Sequence, residues 1–254
     1  MRVPDAASST LAEIAKEILR NGYAFRPRET MLPILSGPEL DEWGSFAASW
    51  DDLGQDTYMA DGGRYRRRRF AAFEICGDKI IREPHQPHYQ SRDYNPLNGG
   101  IIRWFEPVYE TIAAHAFTQR LLATCRHIFD DTTTKTDGQQ VWHVEMHQFR
   151  IEASQQHAGL PTPEGIHRDG VNWVCVVLVR RRNVASGITQ IYSRTEPLGA
   201  FTLTDPLDTV FIDDERVLHG VTPIHALDPG LNAFRDVLVL TFRKRHERTK
   251  RSSD

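Results

Sequence analysis

The chain lacks any apolar run near the roughly 20 residues that a membrane-crossing helix needs, which argues against a helical membrane protein. Its first residues, MRVPDAASST, contain no apolar core of a secretory signal, so export by that route is not expected. A surplus of charge is missing as well. The 31 Lys and Arg against 34 Asp and Glu leave a formal net charge of -3, too little to attract nucleic acid or a membrane surface through bulk electrostatics. Cysteine is scarce: Cys76, Cys125 and Cys175 are odd in number and widely spaced, and form neither a disulfide framework nor a zinc pattern. A reducing, cytoplasmic setting is the expectation, with Cys175 acting as a small core residue inside its apolar run. Internal repeats and long linkers are absent too.

What is present is ordinary for a soluble globular protein, 40% hydrophobic and 26% charged, and 254 residues suit a single domain over 1–254 with one large core. Residues 1–138 read as a helix-rich part packed on that core. Thr10 is placed to cap a helix through about Arg20, with Leu11, Ile14, Ile18 and Leu19 on one face and Gly22 beyond the end. A short strand follows at Tyr23–Phe25. A second helix is expected from Ser36, with Pro38 in its first turn and Leu40, Trp43 and Phe46 at helical spacing. The arginine-rich run 64–70 alternates into Phe73 and Ile75 as a strand whose arginines divide between two faces. Residues 94–100 (YNPLNGG) form a loop, and helical periodicity returns from Pro107 to Ile128 with a break near Ala116-Phe117.

From residue 139 the pattern changes. Runs at 140–151, 172–180, 187–192, 199–203, 209–212 and 235–242 are rich in Val, Ile, Leu, Phe and Trp and separated by Gly, Pro, Asn and Asp. Strands at such intervals after helices predict an α+β protein: a double-sheet jelly roll over 139–243 with N-terminal and flanking helices. The basic tail 244–254 is expected to fray rather than to touch nucleic acid, because no aromatic stacking platform accompanies it.

The most informative residues are His167-Arg168-Asp169, then His219, then Arg235. In a strand, residues i and i+2 point to one side, so His167 and Asp169 share a face while Arg168 turns away. Gly170 permits a bend beside them. Two imidazoles and a carboxylate hold one face of an octahedral ferrous ion and leave the other open, whereas structural zinc takes four closed ligands. Arg235 opens an apolar strand, and its planar fork fits the distal carboxylate of a keto acid. A rival set, His143, Glu145 and His147, alternates along one strand; it is read as a solvent-facing polar row opposite a Val144 and Met146 core face. His85 and His88, in a proline-rich loop, carry less weight.

These residues resemble the iron(II)/2-oxoglutarate-dependent dioxygenases, and within them the bacterial free L-amino-acid hydroxylases of the isoleucine 4-hydroxylase type. The resemblance runs over 147–151 (HQFRI), 163–170 (PEGIHRDG), 213–223 and 235–238 (RDVL), and covers roughly the last two-thirds of the chain. It implies a distorted double-stranded β-helix with His167, Asp169 and His219 as iron ligands and Arg235 on 2-oxoglutarate. The cofactors it implies are Fe(2+), 2-oxoglutarate as co-substrate and dioxygen, with ascorbate as a stimulant. The implied reaction couples decarboxylation of 2-oxoglutarate to hydroxylation of an amino-acid side chain, aliphatic or polar such as citrulline or arginine.

A free amino acid presents a carboxylate and an ammonium, which call for an arginine and for a carboxylate or carbonyls. Arg150 is the first candidate for an inward cation, followed by Arg66 and Arg68. Gln148 is placed with Arg235 on the co-substrate, Asn95 on the substrate, and Trp173 as an apolar wall. Asp214 either pairs with Arg216 or orients an iron-ligating histidine. Two alternatives stand beside this reading: a catalytically silent metal-binding jelly roll that only recognises a ligand, and a hydroxylase of peptide or protein side chains.

Overall fold

The computed structural model describes residues 5–35, 42–133 and 140–245. Helix α1 (Asp5–Asn21) buries Leu11, Ile14, Ala15 and Ile18 along one face. It ends where Gly22 takes φ +81° and returns its N–H to the Ile18 carbonyl at 2.7 Å. A side chain there would be strained and would strike Val217, so glycine is required. The helix starts at Asp5, so Thr10 lies inside it and is not its cap; the alanine-containing run before Thr10 is itself a good helix former. Strand β1 (Tyr23–Arg26) follows as expected. Helix α2 (Arg28–Leu35), hidden in the sequence by Pro33, buries Met31, Ile34 and Leu35. The expected start of the next helix at Ser36 and Pro38 lies outside the described residues, as does the tail from 246; α3 (Trp43–Ala48) is its observed part.

Two minor pairings frame the arginine-rich strand: β2 (Gly54–Gln55), β3 (Arg66–Cys76) and β4 (Lys79–Arg82) are joined antiparallel. A separate ribbon, β5 (His88–Tyr89) with β6 (Ile102–Arg103), sets His88 opposite Arg103. Helices α4 (Glu110–Ala113) and α5 (Ala116–Thr132) show the expected break, two residues earlier than predicted, at Ala114 and His115. The remaining strands are β7 (Val141–Ala153), β8 (Trp173–Arg182), β9 (Val184–Ser186), β10 (Ile188–Tyr192), β11 (Pro197–Thr202), β12 (Thr209–Asp213), β13 (Leu218–Val221), β14 (Ile224–Ala226) and β15 (Ala233–Lys244).

The major sheet runs β1-β12-β8-β15-β7-β3-β2, with β4 added on β3. A smaller sheet, β11-β10-β13, and the pair β14-β9 complete the jelly roll predicted from the strand pattern. Both faces of the major sheet are covered. Trp142, Val144 and Met146 of β7, Trp173 and Cys175 of β8, and Leu238, Leu240 and Phe242 of β15 pack with Phe117, Leu121, Cys125 and Phe129 of α5. The alternate residues, His147, Phe149 and Ile151 of β7, Val174 and Val176 of β8, and Arg235, Val237 and Val239 of β15, line an internal cavity, with Thr189 of β10 and His219 of β13 also in its wall. The two-residue period of the strands thus sorts the core from the site.

Phe129 ties the helical layer to the sheet. Its ring stacks on Trp173 with centroids 5.2 Å apart at 9° and meets Phe242 edge-on at 5.0 Å. Replacing this fully buried ring with alanine, Phe129→Ala, should cost roughly 3–5 kcal/mol of stability by removing both transfer energy and packing partners. Urea denaturation monitored by circular dichroism checks the value; a loss below about 1 kcal/mol would mean the layer is held elsewhere.

Candidate metal centre

His167 and His219 face each other through a two-residue antiparallel bridge. Each donates its backbone N–H to the other's carbonyl at 2.9 Å, and their rings lie 4.7 Å apart. Asp169 completes the group: its carboxylate oxygens stand 3.5 Å from His167 Nε2 and 3.5 Å from His219 Nε2. Neighbouring ligands on an octahedron with bonds of about 2.1 Å are about 3 Å apart, so a contraction of a few tenths of an ångström seats an ion. The three ligand atoms lie within 4.8 Å of one another, a group able to hold a metal ion.

Surrounding contacts set the chemistry of each donor. His167 Nδ1 donates to the Gly165 carbonyl at 3.0 Å, which leaves the Nε2 lone pair for a metal. Burial lowers the basicity of His167, yet the adjoining Asp169 carboxylate overrides it and lifts its pKa to about 9. Burial likewise opposes ionisation of Asp169, and the two imidazoles more than offset it, holding that carboxyl well below its ordinary value. Asp214 does not pair with Arg216; that contact falls to Asp213, at 3.8 Å. Instead Asp214 accepts the backbone N–H groups of Asp169, Gly170 and Val171 at 2.9, 2.8 and 3.1 Å and stands 3.7 Å from His219 Nδ1. Gly170, at φ +77°, makes this turn possible, and a Cβ there would collide with the Tyr94 ring. Arg168 points away, to the Glu215 carbonyl, and Gln90 Nε2 reaches the Asp169 carbonyl at 3.2 Å.

Arg235 lies across the same cavity, 2% exposed, with Nε and Nη2 free of any hydrogen-bond partner. Burial and the nearby Arg181 push its pKa down to about 10, so it is a buried cation awaiting an anion. That is the environment a keto-acid carboxylate would complete.

Among the other sequence candidates, Arg66 and Asn95 line the cavity. Three do not. Gln148 points to the opposite face and donates to Ser49 Oγ at 2.9 Å. Arg150 shares that face, clamped by Asp236 at 2.7 and 2.8 Å and by Asp51 at 2.8 Å. Trp173 belongs to the helix-side core, stacked on Phe129. All three sit one residue out of phase with the cavity-lining positions of their strands.

The rival histidine row also differs from expectation. Its face is not solvent but the cavity, because the jelly roll closes over it: Glu145 and His147 line the wall, and His88 of the β5 ribbon joins them. His88 Nδ1 lies 3.0 Å from Glu145, and Arg68 Nη2 lies 2.6 Å from His147 Nδ1. Burial and the Arg68 charge drive the His147 pKa down to about 3, so its ring is neutral. A guanidinium this close makes the second cluster a poorer cation site than the first.

The 2OG-Fe dioxygenase family profile matches residues 47–241, most of the chain. The chain belongs to this family. This dioxygenase is 27% identical to the 3(1)-hydroxy-L-isoleucine 4-dioxygenase of Pantoea ananatis, over 94% of its own length and 98% of the relative's. It is 24% identical to the L-isoleucine-4-hydroxylase of Bacillus thuringiensis, covering 95% and 93% of the two chains. Among solved structures, a bsmA homologue from Methylobium petroleophilum superposes with a TM-score of 0.83 at 33% identity, covering 92% of each chain. The dioxygenase also shares its fold with IDO of Bacillus thuringiensis, at a TM-score of 0.77 and 20% identity over 93% of this chain and all of that one. Family membership implies iron(II), 2-oxoglutarate and dioxygen as cofactor and co-substrates.

Iron titration separates the two histidine clusters. Asp214→Ala should weaken iron(II) binding roughly 10–100-fold by releasing the loop that carries Asp169. His167→Ala should weaken it further, and His147→Ala should leave it nearly intact. Unchanged binding in His167→Ala would move the ion elsewhere.

Proposed function

We propose that the protein hydroxylates the side chain of a free L-amino acid, with His167, Asp169 and His219 as iron ligands and Arg235 as the anchor for 2-oxoglutarate. The observation that carries this reading is the pairing, within one cavity, of a three-ligand cluster with a buried, unpartnered guanidinium. The names of the two bacterial relatives, both acting on isoleucine or a hydroxylated isoleucine, support the substrate class. Residues 1–254 are read as one dioxygenase domain, and the free cysteines suit a reducing cytoplasm.

Bound iron with 2-oxoglutarate and dioxygen supplies the oxidising power that couples release of succinate and carbon dioxide to hydroxylation of a C–H bond. The protein's part is positioning. The Gly165 carbonyl fixes the His167 tautomer, and Asp214 fixes the Asp169 loop. The Arg235 guanidinium receives the distal carboxylate and the charge it lacks. Val174, Val176, Val210, Ile212, Val237 and Val239 keep this part of the wall apolar, which limits water at the reacting carbon. Which carbon reacts then depends on placement to within about 1 Å.

Incubation with iron(II), 2-oxoglutarate, ascorbate and a pool of free amino acids should give succinate above the uncoupled background and a product one oxygen atom heavier than its parent. Arg235→Met should raise KM for 2-oxoglutarate roughly 30-fold or more by removing a buried charge partner. Metal binding without turnover on any pool would favour the silent jelly-roll module. Oxygen insertion into peptides but not free amino acids would favour the peptide hydroxylase.

A further inference from the structure

The cavity wall beyond the metal cluster carries charges that neither iron nor 2-oxoglutarate uses. Arg66, Arg68 and Arg103 line it at 6%, 4% and 2% exposure. Arg66 and Arg68 share one buried carboxylate, Asp56, at 2.7 and 3.7 Å. Arg68 and Arg103 lie over the same Phe105 ring, 3.6 and 5.8 Å from its centre. Arg66 Nη2, Arg68 Nε, and Nε and Nη2 of Arg103 have no hydrogen-bond partner. Two guanidiniums thus share a single carboxylate, and the third joins them through the Phe105 ring. Burial, Arg66 and Arg103 depress the Arg68 pKa, yet an arginine stays charged at neutral pH, so the cluster is short of an anion. Arg235 lines the same cavity from β15 and has Arg181, not these three, as its neighbouring charge in the register of β15 on β8.

Acidic groups face the same space. Glu145 is already engaged with His88 and close to His147 and His143. Glu164 is engaged through one oxygen only: its side chain is 9% exposed, Oε1 lies 3.4 Å from His167 Nε2, and Oε2 is buried with no hydrogen-bond partner. We propose that Arg66, Arg68 and Arg103 receive the substrate's carboxylate and Glu164 its ammonium, so that the cavity selects amino acids whose side chains are uncharged.

Charge balance gives the selectivity. A ferrous ion, Asp169, Arg235 and the 2-oxoglutarate dianion cancel among themselves. The three buried arginines are matched by Asp56, Glu145 and Glu164, with His147 neutral, while Arg243, also in the wall, is exposed to solvent and donates to the Gly170 carbonyl at 3.3 Å. A zwitterion adds no net charge to this closed balance, whereas a further side-chain carboxylate or ammonium would enter without a counter-charge. An unpaired buried charge is costly, and an uncharged polar or aliphatic side chain avoids that cost. The ribbon β5–β6 delivers Arg103, so the receptor combines residues from the major sheet and from a segment outside it.

The inference rests on the amino-acid reading above, and binding measurements separate the two. The protein loaded with iron(II) and 2-oxoglutarate is titrated without oxygen, by calorimetry, with isoleucine, methionine and citrulline, then lysine and arginine, then aspartate and glutamate. At least one uncharged side chain should bind, with the ionised ones weaker by roughly 30-fold or more. Arg103→Gln should weaken the preferred amino acid by a similar factor while 2-oxoglutarate affinity moves less than about twofold, as expected for independent sites. Glu164→Gln should weaken the amino acid but spare the matching 2-hydroxy acid, which has no ammonium. Equal binding of ionised and neutral side chains, or unchanged affinity in Arg103→Gln, would overturn this inference and leave the amino-acid reading standing. Binding of 2-oxoglutarate with no amino acid bound at all would sink both.

Discussion

Two backbone hydrogen bonds exchanged between His167 and His219 govern the geometry of the whole site. They bring together two segments that are distant in the chain and fix both imidazoles at one height in the jelly roll. The bridge fixes where the two side chains leave the backbone, and the Gly165 carbonyl and the Asp169 carboxylate then orient the rings. Asp214 then does for the carboxylate what the bridge does for the imidazoles. Lying just beyond β12, it captures three consecutive N–H groups of the turn after Asp169. The ligand set is therefore preorganised by main-chain hydrogen bonding from two sides, which suits a centre that must hold its open face in one direction.

Much of this was legible in the sequence. The strand-rich pattern after residue 139, the His-x-Asp pair, the distal histidine and the arginine opening a strand all describe features visible in one dimension. The misplaced strand residues share one cause. Val144 and Met146 were correctly placed on a core face, and strand parity then puts Gln148 and Arg150 on that same face, away from the site. Strand phase, not charge, decides which face a residue takes. Reading Glu145 and His147 as solvent-facing assumes a sheet with one covered face, whereas both line the cavity. In a jelly roll the second face is interior too. Polar residues on it mark a cavity.

Other parts were beyond a one-dimensional reading. Arg103 carries no local signal, being a single arginine in a two-residue strand, and His88, a histidine among prolines, carries only a weak one. Only the pairing of β5 with β6 sets them opposite each other and over the cavity. Asp56 stands apart from Arg66 in sequence, and its role as their shared counter-ion follows from folding alone. Helix α2 was masked by Pro33, because proline outweighs a short apolar face in any propensity argument.

The ribbon β5–β6 is hydrogen-bonded as two residue pairs and joins neither of the larger sheets. Every ligand of the metal cluster, and Arg235, sits elsewhere. Under the receptor proposed above, Arg103 stands on a two-pair ribbon and can be exchanged without altering any strand of the larger sheets. Recognition and oxidation then rest on separately hydrogen-bonded parts of one cavity wall, joined where Gln90, next along the chain from the ribbon, reaches the Asp169 carbonyl.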